Sequence, residues 1–122
     1  HEVLHGVGCV LVGDVSWGEI GFAVKGLMVY AHCTVPVSAV AYRVSLALPG
    51  VILGLGPSLV GLALGSAWLT VYGTLMVIAA LGDFLILWMI RSVPNEVQVQ
   101  DHPSAPGCQV LLKQRTEGNS RD

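Results

Sequence analysis

Residues 44–90 read VSLALPGVILGLGPSLVGLALGSAWLTVYGTLMVIAALGDFLILWMI, and Asp83 is the only charged residue between Arg43 and Arg91. A run of this kind is about twice the roughly 20 apolar residues that one membrane-crossing helix requires, so it reads as a two-helix hairpin. The whole chain agrees with that reading. Apolar residues make up 53% of the 122 and charged residues 11%, with a mean hydropathy of +0.69, whereas a soluble domain carries about a quarter charged residues. The expected fold class is therefore a mainly α membrane protein with multi-pass transmembrane helices. Spans are placed at residues 51–67 and 68–91, after a helical stretch over 37–48 that Pro49-Gly50 breaks or bends.

Trp68 and Trp88 lie 20 residues apart, about 30 Å along a straight helix, which matches a hydrocarbon core between aromatic belts. Arg43 and Arg91 bracket the hairpin on one side, and the positive-inside rule puts that side in the cytoplasm. Gly61 and Gly65 form a GxxxG pair that would let a neighbouring backbone approach. Asp83, eight residues before Arg91, sits roughly 12 Å below that interface. A carboxylate at such depth costs about 2.5 kcal/mol or more if it faces lipid, so it is expected to face a partner, and a metal dication is the best one available.

The chain opens on His1-Glu2-Val3-Leu4-His5. On a helix, a spacing of four stacks both imidazoles on one face, where they can bind one metal ion. Glu2 is then placed to act on water at the metal rather than to bind it. Beginning inside this motif, the chain reads as a fragment or a processed form. Helix is expected to about Gly13, followed by a β-hairpin over residues 20–25 and 27–33 joined near Lys25-Gly26, where turn chemistry suits two strands better than one helix. Cys9, Cys33 and Cys108 are odd in number and form no CxxC pair, so they read as separate buried or unreactive thiols. His32 reads as a packed or solvated residue before it reads as a ligand or oxyanion donor, and Glu19 as an exposed turn charge. His102, in Asp101-His102-Pro103, reads as part of a polar loop, with Asp101 capping or anchoring the tail. The domain plan is a core over 1–94 and a polar tail over 95–122, whose last eight or so residues are expected to be disordered.

His1-Glu2-Val3-Leu4-His5, Ala31-His32-Cys33 with Pro36 and Ala41-Tyr42-Arg43, Gly82-Asp83-Phe84-Leu85-Ile86-Leu87-Trp88, and Asp101-His102-Pro103 with Gly107-Cys108 together resemble the putative zincin peptidases. That family was long filed as a domain of unknown function and is similar in plan to the site-2 proteases. The resemblance implies a multi-pass membrane metallopeptidase that binds Zn2+ through His1, His5 and Asp83, with Glu2 as general base. It departs from the site-2 protease pattern at Gly82-Asp83-Phe84, which lacks the proline and following glycine of an Asn-Pro-Asp-Gly-like turn. The expected location is the plasma membrane of a prokaryote, and the expected partners are a membrane protein or peptide substrate and the lipid bilayer. A net charge of -2 with no basic patch argues against nucleic acid.

Two other classes fit parts of the sequence. One is a catalytically silent membrane scaffold or substrate-binding protein, which has no need of a base such as Glu2. The other is a metal transporter with His1, His5 and Asp83 as a transit site, which the lack of an internal repeat disfavours.

Overall fold

The computed structural model describes residues 1–102 and 108–111. Helix α1 (Glu2–Gly13) lies directly on helix α2 (Ala39–Pro49), and Gly8 makes that possible: a Cβ at Gly8 would run into the backbone of Ser45. α2 is started by Ser38, whose hydroxyl accepts from the Ala41 amide and satisfies one of the free donors of the first turn. Cys9, Ala41, Tyr42 and Leu46 are buried along this crossing, joined by Ile90 and Val99 from later in the chain.

Pro49 does not end the helix. The chain continues through a π-helical turn, Gly50–Leu55, into α3 (Gly56–Leu64), giving one apolar helix of 26 residues from Ala39 to Leu64. A proline inside a helix removes one donor and crowds the preceding turn, and a widened π turn relieves both. Gly65 then reverses the chain with φ 67, a left-handed C-cap that favours glycine. α4 (Ala67–Ala79) returns against α3, with backbone-close approaches at Gly61 to Thr70 and at Gly73 to Ser58. The close-packing positions are therefore Gly61 and Gly73; Gly65 of the expected GxxxG pair has open space around it.

The second expected span is also different. α4 and α5 (Leu81–Met89) are bent by 44° at Ala80, so Trp68 and Trp88 are not the ends of one straight 30 Å rod. The bend follows the packing: Ala80 is fully buried, and a Cβ at Gly50 would meet Phe84 and Ala80, so α5 folds around the π turn. These findings correct the multi-pass transmembrane reading. Among the described residues one helix, Ala39–Leu64, is long and apolar enough to cross a membrane; the bent pair adds a second only if counted as a single span. Two small antiparallel sheets pack beside them.

The first sheet is the expected hairpin, β1 (Ile20–Lys25) and β2 (Met28–Cys33), closed by Lys25 and Met28 around Gly26 at φ 64. The second has the order β3-β4-β5, with β3 at Val37–Ser38, β4 at Gln98–Asp101 and β5 at Cys108–Leu111. Two of its strands come from the polar segment after residue 95, for which the sequence suggested no elements. Arg43 donates to the carbonyls of Ile90 and Val93 and to Asn95 Oδ1, capping the C-terminal end of α5. The expectation of a disordered chain end falls outside the described residues.

Candidate metal centre

α1 carries His1 at its N-cap and His5 one turn on, and the bend at Ala80 places Asp83 in the first turn of α5, facing them. The structure brings the three together: one ligand atom from each lies within 4.8 Å of the other two. Asp83 Oδ2 is 3.5 Å from His1 Nε2 and 3.4 Å from His5 Nε2, and the two imidazoles meet edge to face at 5.1 Å. Those separations match the edge of a tetrahedron whose corners lie about 2.0 to 2.1 Å from a central zinc, roughly 3.4 Å. His1 Nε2 and Asp83 Oδ2 are buried with no hydrogen-bond partner. Unpaired polar atoms in such a place are costly, and a shared cation would satisfy them. The donor set, two imidazoles and a carboxylate, suits zinc.

His5 Nδ1 donates to the Ser45 carbonyl at 2.9 Å, which leaves the Nε2 lone pair aimed at Asp83 and His1. The Ser45 hydroxyl donates back to the His5 carbonyl at 2.6 Å, so the ligand helix and α2 are tied twice at one residue. Burial lowers the basicity of His5, but the Asp83 carboxylate, the Ser45 carbonyl and Glu2 act the other way and hold its pKa above 6.5. Nothing in the local sequence marks Ser45, because its role depends on α2 crossing α1 at Gly8.

Glu2 stands apart from the three. Its Oε1 is 3.1 Å from His1 Nδ1, and its Oε2 accepts from the Ala31 amide of β2 at 3.0 Å. The carboxylate thus sits between the ligand cluster and a strand edge. All four side chains line a cavity of about 750 Å³ that runs along β2 to Asp101 and also touches His32 and His102. His32 lies over Gly21, where a side chain would collide with its ring, and its Nδ1 is buried without a hydrogen bond. Neither His32 nor His102 joins the ligand cluster. Glu19 closes a capping box with Ser16 and is not among the residues that line the cavity.

The cysteines depart from the sequence reading. Cys9 and Cys33 are joined as a disulfide across 24 residues, linking α1 one turn beyond His5 to the end of β2. Cys108 remains a free thiol, its pKa raised by burial and by the Asp101 carboxylate. A pairing set by tertiary contact leaves no mark in cysteine spacing. Asp101 is more than a tail anchor: Oδ2 accepts from the Cys33 amide at 2.9 Å and Oδ1 from the Tyr42 hydroxyl at 2.7 Å.

The sequence model of a family described as putative zincin peptidase matches residues 1–98. No curated protein and no solved structure matches the chain.

Proposed function

Because this chain belongs to the putative zincin peptidase family, we propose that it hydrolyses peptide bonds with a zinc ion held by His1, His5 and Asp83 and with Glu2 as general base. Zinc metallopeptidase chemistry is the class the family carries; the residue roles are our reading. The observation that carries it is that His1 Nε2 and Asp83 Oδ2, both buried and without a hydrogen bond, lie with His5 Nε2 at the spacing of a tetrahedral ligand set.

When bound, zinc supplies Lewis acidity, polarising a scissile carbonyl and letting water lose a proton near neutral pH. The protein supplies the rest. The Ser45 carbonyl holds the His5 ring in the tautomer that offers Nε2. Glu2, one residue from the first imidazole, takes the proton from the attacking water and returns it to the leaving amine. Its bond to the Ala31 amide keeps the carboxylate between the cluster and β2, so the base faces whatever peptide lies along that strand. An extended peptide can add to the edge as a further strand, which presents an unwound carbonyl for attack.

The setting we propose is membrane-associated. Leu62, Leu64 and Trp68 stand 67%, 74% and 87% exposed along the α3–α4 hairpin, an apolar surface suited to lipid. The substrate class is a peptide or a segment of a membrane protein.

Zinc content and peptide cleavage, measured together, test the reading. Glu2→Gln should keep zinc and lose turnover by about a hundredfold or more, the range of lost acid or base catalysis. His5→Ala should lose the metal. A scaffold would show no cleavage in the unaltered protein, and full cleavage by Glu2→Gln would sink the mechanism.

A further inference from the structure

Among the described residues β2 pairs with β1 on one side only, and its other edge faces the cavity. The amides of Ala31 and Cys33 both point to that outer side, because both donate away from β1. Successive outward amides on one strand are two residues apart, about 6.6 Å. The chain's own carboxylates meet both. At Ala31 the acceptor is Glu2, a side chain on a helix that also faces the ligand cluster. At Cys33 it is Asp101, whose backbone is fixed in β4 between β3 and β5 and whose second oxygen is held by Tyr42, a residue only 5% exposed.

These two contacts differ in consequence. A peptide lying on the edge can pair at Val29 and with the Ala31 carbonyl while the Ala31 amide stays with Glu2, but at Cys33 it meets a braced carboxylate in the place where its own carbonyl would sit. The edge has an end. Antiparallel pairing, the more stable sense per residue, points the amino terminus of the peptide toward Cys33. Charge gives the same direction independently: a carboxylate has about four acceptor positions, of which Asp101 uses two among the described residues, so it attracts an ammonium group and repels a carboxylate terminus.

We propose that Asp101 closes the substrate edge and receives a free α-amine, so that the protein takes peptides with an open amino terminus and cuts them within the first few residues. This rests on the proposed peptide hydrolysis for the cutting, though not for the binding. The amides that hold Glu2 and Asp101 are one dipeptide step apart on β2, and that step sets how far from the terminus the scissile bond lies. Tyr42 is a positioning residue here, since it holds Asp101 and does not line up with the metal ligands.

The test uses matched synthetic peptides of four to twelve residues, each with a free or an acetylated amino terminus. Their affinity is measured on zinc-loaded Glu2→Gln protein, and cleavage products of the unaltered protein are mapped by mass spectrometry. Free-amine peptides should bind about tenfold more tightly than acetylated ones, the worth of one charge-assisted hydrogen bond, and should be cut near the amino end. Asp101→Asn, which keeps an acceptor for the Cys33 amide but removes the charge, should erase the preference, so that free-amine and acetylated peptides bind this variant equally. Equal affinity for both peptide forms, or an amine preference that survives Asp101→Asn, overturns the proposal. Amine-dependent binding without any cleavage would leave it standing and defeat the hydrolysis reading alone.

Discussion

The crossing of α1 over α2 and the hairpin of α3 with α4 are both helix pairs brought together by glycine, yet they treat their side chains in opposite ways. At the first, Gly8 meets the Ser45 backbone, and around that contact the chain buries Cys9, Ser45 and Tyr42 and gathers four imidazoles and three carboxylates at the cavity. At the second, Gly54, Gly61 and Gly73 lie inside while Leu59, Leu62, Leu64, Trp68 and Leu75 face outward. Much of the apolar surplus of this sequence thus lies on the outer surface of the hairpin, while the half-buried polar groups of the cavity gather beside the crossing. High mean hydropathy here measures the hairpin, whereas the chemistry depends on the few groups that the crossing encloses.

The sharpest way to break the comparison is to spoil the crossing. Gly8→Val should cost about 3 kcal/mol or more, because the added methyls meet main chain that cannot turn aside, and zinc affinity should fall with stability. Chemical denaturation and zinc titration on one sample would measure both. Gly65→Ala, in open space at φ 67, should cost only about 1 kcal/mol through its backbone conformation. Equal losses at the two glycines would mean that the crossing is no tighter than the turn.

A smaller effect is expected on the acid side. Metal binding needs a neutral imidazole, and the pKa of His5 lies above 6.5 in the metal-free protein, so zinc should begin to leave at a higher pH than an ordinary histidine would allow. The metal-free fold has the opposite sign. Its share of stability from protonated His5 is complete below 6.5 and is lost as pH rises through the raised value. Zinc retention and melting temperature followed from pH 5 to 9 should therefore move in opposite directions; parallel curves would show that Asp83 and Ser45 do not hold the proton.

The smallest effect on stability belongs to the hairpin. Leu62→Gln should change unfolding free energy by no more than about 0.5 kcal/mol, as exposed substitutions generally do. Its effect should appear instead as weaker sedimentation with phospholipid vesicles. A large loss of stability with unchanged vesicle binding would make this surface a core.

What could be read from the sequence follows the range of the interactions. The four-residue spacing of His1 and His5 and the Gly26 turn are local, and helix and hairpin form where they were expected. Asp83 stood out because a lone charge in an apolar run requires a partner, and it does meet the two imidazoles. The helix boundaries were misread because the strongest local breaker, Pro49, was accommodated by a π turn, whereas the actual bend at Ala80 has no breaker and arises from packing on Gly50. Ser45, Asp101 and the Cys9–Cys33 link are long-range contacts between residues 24 to 68 positions apart, and no spacing rule reaches that far. The polar segment after residue 95 reads as a tail because its strands are short and, among its described residues, only Val99 is fully buried.

The hydrogen bond from His5 to Ser45 ends on a main-chain oxygen, and this affects how the protein can drift. A ligand oriented by another side chain loses its support through a single codon change in the supporting residue. Here every amino acid at position 45 offers the same carbonyl, so the orientation of His5 is insulated from direct substitution of its partner. The vulnerability passes to Gly8, a residue with no functional group, where any side chain would push the two helices apart. Related chains would then be expected to vary more freely at position 45, among small residues, than at position 8.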